Sequence, residues 1–84
     1  MNPEWFTIPG FSAYEINRNG DVRISLSKYP EKEGKLLHCY ISEHGYTPER
    51  GKFHVEWYLL NKDGGNGPRA AHKDQLLSDV FNND

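Results

Sequence analysis

Apolar and polar positions alternate twice early in the chain. Tyr14 and Ile16 alternate with Glu15 and Asn17, then Val22, Ile24 and Leu26 with Asp21, Arg23 and Ser25. Between the two runs stands Asn19-Gly20, a pair that tolerates positive φ and marks a tight hairpin turn. The segment Tyr29–Gly34 is polar and punctuated by Pro and Gly, so it reads as a loop. A second strand region is predicted near 35–41 (KLLHCYI), which is rich in strand formers without a clean period. Residues 42–52 (SEHGYTPERGK) read as a further loop. A patterned strand follows near 53–60, where Phe53, Val55, Trp57 and Leu59 alternate with His54, Glu56, Tyr58 and Leu60. That phase puts Trp57 on the buried face.

A glycine-rich turn, Asn61–Pro68, ends this strand, and a helix is predicted near 70–82. Its Leu76, Leu77, Val80 and Phe81 fall on one helical face, which must dock on the sheet. The fold class is therefore α+β: a small antiparallel sheet of three to four strands, opened by an N-terminal hairpin motif at 4–27, with one C-terminal helix. The pattern predicts a single domain over 1–84. Trp5 and Trp57 are both expected largely buried, with Tyr14 and Ile16 facing the same core.

Composition narrows the classes. A chain of 84 residues has a small core. Aromatics at 13% supply large rings to fill it. Ten Lys and Arg stand against twelve Asp and Glu, a formal net charge of −2. A duplex-binding domain usually carries a basic excess or a concentrated basic face, so any such face requires the acids to be segregated. Cys39 is the single cysteine, which excludes an intrachain disulfide and fits a reducing compartment. No apolar run approaches the roughly 18 residues of a membrane span, and the start (MNPEWF) lacks a signal-peptide pattern. A cytoplasmic location is expected, with no membrane partner and no evident small-molecule substrate.

The motif Glu4-Trp5, Ile8, Gly10, Tyr14, Ile16-Asn17, Gly20, Val22-Arg23 resembles the nuclease-associated modular DNA-binding motif of the N-terminal region of phage HNH homing endonucleases. In that family the motif leads into a strand pair and an apolar helix, whose spacing Leu76-Leu77-Ser78-Asp79-Val80-Phe81 shares. The resemblance implies DNA binding. It stops short of catalysis, because Asp74 stands where the family has a helix His and the HNH catalytic part is lacking. Metal-assisted cleavage needs a general base and a cation on the phosphate, and neither has an evident carrier. Asn61-Lys62-Asp63-Gly64-Gly65-Asn66 is similar to the family's H-K-D-G-N run with Asn for His, but Gly and Asn there read first as turn chemistry. No catalytic residue is assigned.

Four histidines and one cysteine raise a metal site, yet His38 and Cys39 are adjacent and point to opposite faces of a strand, while His44, His54 and His72 are scattered. No metal or cofactor is expected, and Cys39 reads as a small buried side chain among apolar neighbours. Two partners remain. For duplex DNA, the candidate contacts are Arg18, Arg23 and Lys28 along the hairpin, with Arg69 and Lys73 at the helix start. Each alone is as readily part of a solvated mixed-charge surface. The alternative is a host protein, the chain acting as a phage-encoded inhibitor of a host factor or defence system. The acidic balance and a surplus of aromatics such as Tyr29, Tyr40 and Tyr58 favour it.

Overall fold

A computed structural model describes residues 4–49 and 51–82, with the side chains of 44–47, 52 and 53 outside the description. Two three-stranded antiparallel sheets and one helix share a core, so the chain is α+β. The first sheet comprises β1 (Phe6–Ile8), β2 (Phe11–Ile16) and β3 (Val22–Ile24) in that order. Pro9-Gly10 turns β1 into β2, with Gly10 at φ 79°, where a side chain would be strained. In the next turn Ile16 pairs with Val22, and the loop is wider than a two-residue Asn19-Gly20 turn. Gly20 alone takes a positive φ, 88°, while Asn17 closes the loop through its side chain.

The alternation expected through Leu26 stops at Ile24. A tight turn follows, in which Ser25 accepts the Tyr29 N–H and is itself buried, leaving Leu26 exposed. A single 3-10 turn at Pro30–Lys32 completes the loop expected there.

The strand expected near 35–41 is two pieces in two sheets, which is why its sequence lacks a period. Residues 35–37 run along the edge of β3: the Ile24 N–H donates to the Lys35 carbonyl and the Leu37 N–H to the Val22 carbonyl. The chain then crosses into β4 (Tyr40–Thr47), which forms a hairpin with β5 (Gly51–Asn61). The expected loop at 42–52 is thus mostly strand, because the β4–β5 ladder runs out to Thr47 and Gly51. Pro68–His72, expected as turn and helix start, is β6, paired with β5 from Asn61↔Pro68 to Trp57↔His72. The ladder holds these residues extended, and the helix, α1, runs from Lys73 to Phe81. Its Leu76 is buried, with Leu77, Val80 and Phe81 packed around it, as its pattern predicted.

The faces of β5 are opposite to expectation. Tyr58 and Leu60 are 3% and 0% exposed, whereas Leu59 is 43% exposed and Trp57 half-buried on the far side. Trp57-Tyr58-Leu59-Leu60 is apolar in both phases, so alternation alone does not choose. Packing chooses Tyr58, whose hydroxyl donates to the Gly20 carbonyl at 2.8 Å and which lies opposite the small Ala71. The side chain of Phe53 lies outside the described residues.

Ile8, Tyr14, Ile16 and Val22 from the first sheet meet Tyr58, Leu60 and Ala71 from the second, under Leu76. Tyr14 and Ile16 therefore face one core, as expected. Trp5 does not join them: it is half-buried, with the Arg23 guanidinium 4.3 Å from its ring centre.

Candidate nucleic-acid interface

The five candidate cations are distributed over three places. Arg18 and Lys73 lie at the β2–β3 turn. Arg18 follows Asn17, whose Oδ1 accepts the N–H groups of Asn19 and Asp21 at 3.0 Å each and whose Nδ2 donates to Asp21. This pinned loop aims the Arg18 guanidinium over Phe81, 4.6 Å from the ring centre, with Phe6 at 5.9 Å. The two rings meet edge to face, so Arg18 caps the seam between β1 and the end of α1. That end carries no cation of its own in its last turn, and a positive group there suits the helix dipole.

Lys73 opens α1, and its stem lies over Gly20; a Cβ at Gly20 would collide with it. Its ammonium sits 3.3 Å from Glu56. The N-cap residue, His72, makes no side-chain capping bond, so the first N–H groups of α1 are left for solvent or an anion.

Lys28 and Arg69 belong to the other end of the molecule. The Lys28 ammonium donates to Ser12 Oγ at 3.0 Å, and Ser12 in turn donates from its N–H and hydroxyl to Asp63. Arg69 lies on exposed β6 and lines a shallow groove with Lys62, Gln75 and Asp79. β2, six residues or about 20 Å of extended chain, separates this end from the Arg18 turn.

Arg23 stands apart. It crosses to Glu15 directly opposite on β2, Nε to Oε1 at 2.8 Å, while stacking on Trp5. This pair is mostly buried, and Glu15 also accepts the Leu26 N–H, so Arg23 is spent on structure. Sequence spacing could not show this, because Trp5 comes beside Arg23 only once β1 has paired with β2.

Two features escaped the sequence reading. Lys62 shares the groove of Arg69, a neighbour only through the β5–β6 hairpin. On the outer face of the second sheet, Tyr40 stacks on Trp57 at 4.7 Å, His38 meets Tyr40 edge-on, and Trp57 Nε1 donates to Ser42 Oγ. Reading β5 in its other phase would have exposed that row.

Cys39 is half-buried, with its thiol 3.6 Å from Glu56 Oε2. Burial first, then Cys39 and the carboxylates of Asp21 and Glu56, pushes the Tyr58 phenol well above its ordinary range. Among the described residues no three His, Cys, Asp or Glu side chains gather as a metal site, and no helix is long and apolar enough to cross a membrane. No protein-family model, curated protein or solved structure matches this chain.

Proposed function

We propose that the chain is a non-catalytic binding module whose partner is duplex DNA, engaged through the β2–β3 turn. The observation that carries this reading is the placement of Arg18 and Lys73 at that turn, each with its stem already fixed. Arg18 rests on Phe6 and Phe81, and Lys73 on Gly20. A cation held before binding loses less freedom on meeting a phosphate. The uncapped start of α1 adds oriented N–H donors beside Lys73. Arg69 and Lys28, at the far end of β2, give a second set of phosphate contacts. The resemblance of the opening motif to the DNA-binding part of phage homing endonucleases supports the same partner.

A titration of duplex DNA over a salt series tests the reading. Each phosphate neutralised contributes about −0.9 to the log–log slope, so two to four contacts predict roughly −2 to −4. Arg69→Ala should lower the magnitude by about one, whereas Arg23→Ala should leave the slope unchanged, because Arg23 is held against a mostly buried Glu15, unlike Lys73, whose partner Glu56 is exposed. Absence of duplex binding at low salt by the folded chain would sink the proposal. The alternative, a protein-binding inhibitor, draws on a different surface, the outer face of the second sheet.

A further inference from the structure

We infer that the cavity between the first sheet and the 25–34 loop binds a small carboxylate with an apolar body, held by Tyr14, Tyr29 and Lys32. The cavity measures about 270 Å³ and opens to solvent. That is just below the usual range of drug-sized pockets and suits a ligand of roughly ten non-hydrogen atoms. Three parts of the chain build it. Tyr14 and Ile24 are cross-strand partners on β2 and β3. The loop after β3 folds back through the Pro30–Lys32 turn and adds Tyr29 and Lys32, while the end of β5 adds Asn61.

The donors in this cavity lack acceptors. Tyr14 is 8% exposed, and its oxygen accepts the Asn61 N–H at 3.2 Å and Nδ2 at 3.1 Å, which fills both lone pairs. Its own hydrogen then has no acceptor among the described residues, a costly state for a buried hydroxyl. The Tyr29 hydroxyl and the Lys32 ammonium are likewise without a partner there. No carboxylate lines the cavity. Glu33, next to Lys32, takes a φ of 55°, the one positive φ among the described non-glycine residues. Its N–H closes on the Pro30 carbonyl, so a strained backbone holds Lys32 in its turn.

Three donors, one of them charged, with no acid beside them select an anion. A carboxylate suits the cavity better than phosphate, because Ala13, Ile24 and the two phenol rings offer apolar wall to the rest of the ligand. None of these residues is among the DNA contacts, so the inference stands apart from that reading.

Benzoate is the probe, titrated to about 20 mM into the nitrogen-15-labelled full chain, with benzamide as its uncharged counterpart. Saturable amide shifts centred on Ala13, Ile24, Tyr29, Lys32 and Asn61 are expected, with a dissociation constant on the order of 1 mM for so few atoms. Benzamide should bind at least about tenfold more weakly. Tyr14→Phe should weaken benzoate at least about fivefold, but it also frees Asn61. Tyr29→Phe and Lys32→Gln therefore carry the test if that variant does not fold, each weakening benzoate about threefold or more. Lys35→Gln, three residues beyond Lys32 and outside the cavity, is the charge-matched control and should bind benzoate as the parent chain does. A folded chain whose amides do not shift overturns the inference, as does benzamide binding as tightly as benzoate. A loss in Lys35→Gln equal to that in Lys32→Gln also overturns it, since that is charge attraction without a site.

Discussion

Asn17 is 2% exposed, yet it is polar and sits at a strand end. Every polar atom of its side chain is used within the turn: Oδ1 takes two backbone N–H groups and Nδ2 reaches Asp21. Removing them leaves two part-buried donors without their acceptor, so Asn17→Ala should cost about 1–2 kcal/mol in urea denaturation. Gly20, three residues on, is constrained differently. Its φ of 88° already disfavours any Cβ, by about 1–2 kcal/mol, and the Lys73 stem fills the space a Cβ would take. Gly20→Ala should therefore destabilise, and by a smaller amount in a Lys73→Ala background. Simple additivity of the two substitutions in a double-mutant cycle would show that the stem is not packed there.

At the scale of elements, β5 carries the lesson. Its strand character was legible from composition, but its facing was not, because Trp57 and Leu59 are as apolar as Tyr58 and Leu60. The decision lies with residues far along the chain, the Gly20 carbonyl and Ala71, which no local pattern registers. The consequence for stability is a reversed ranking. Leu60→Ala should cost about 2–5 kcal/mol, and Trp57→Ala only about 1–2, from its lost stack on Tyr40 and bond to Ser42. Equal or inverted losses in thermal melts would place Trp57 back in the core. The buried phase of the first hairpin, though not its turn or the reach of β3 to Leu26, and the apolar face of α1 were read correctly, since in both one phase is clearly the apolar one. β6 was missed for the opposite reason: Ala70 and Ala71 suit a helix, and only the ladder with β5 makes them strand. The candidate cations could be picked out as residues but not arranged as a surface, because the sequence does not reveal that Arg23 has a partner in Glu15.

For the molecule as a whole, two tyrosine hydroxyls tie the sheets together from opposite sides. Tyr58 reaches across to Gly20, and Tyr14 accepts the Asn61 N–H and side-chain amide. The first of these carries a pH dependence. In the unfolded chain Tyr58 ionises near 10.0, whereas in the folded protein burial holds its proton to higher pH. The stability it contributes is thus fully present below about pH 10 and is lost as the pH rises beyond that value. Alkaline titration followed by circular dichroism should show unfolding set in there, and Tyr58→Phe should flatten that limb while lowering stability at neutral pH by about 1–2 kcal/mol. Catalysis belongs to this scale as well. Supercoiled DNA incubated with the chain and Mg²⁺ or Mn²⁺ should remain uncut, and nicking that tracks with the chain would overturn the non-catalytic reading.

The crossing from one sheet to the other, between Leu37 and Tyr40, divides the chain into two consecutive blocks. Strands β1 to β3 pair only among themselves, and so do β4 to β6. Each block is a meander of local contacts, whose hairpins close on short loops and fold quickly. Their docking is expected to come later, since Tyr58 meets Gly20 across 38 residues and Asn61 meets Tyr14 across 47. A chain built this way should collapse as two preformed ribbons, with joining as the slow step. Tyr58→Phe would then act mainly on the unfolding rate, and substitutions within either hairpin on the folding rate.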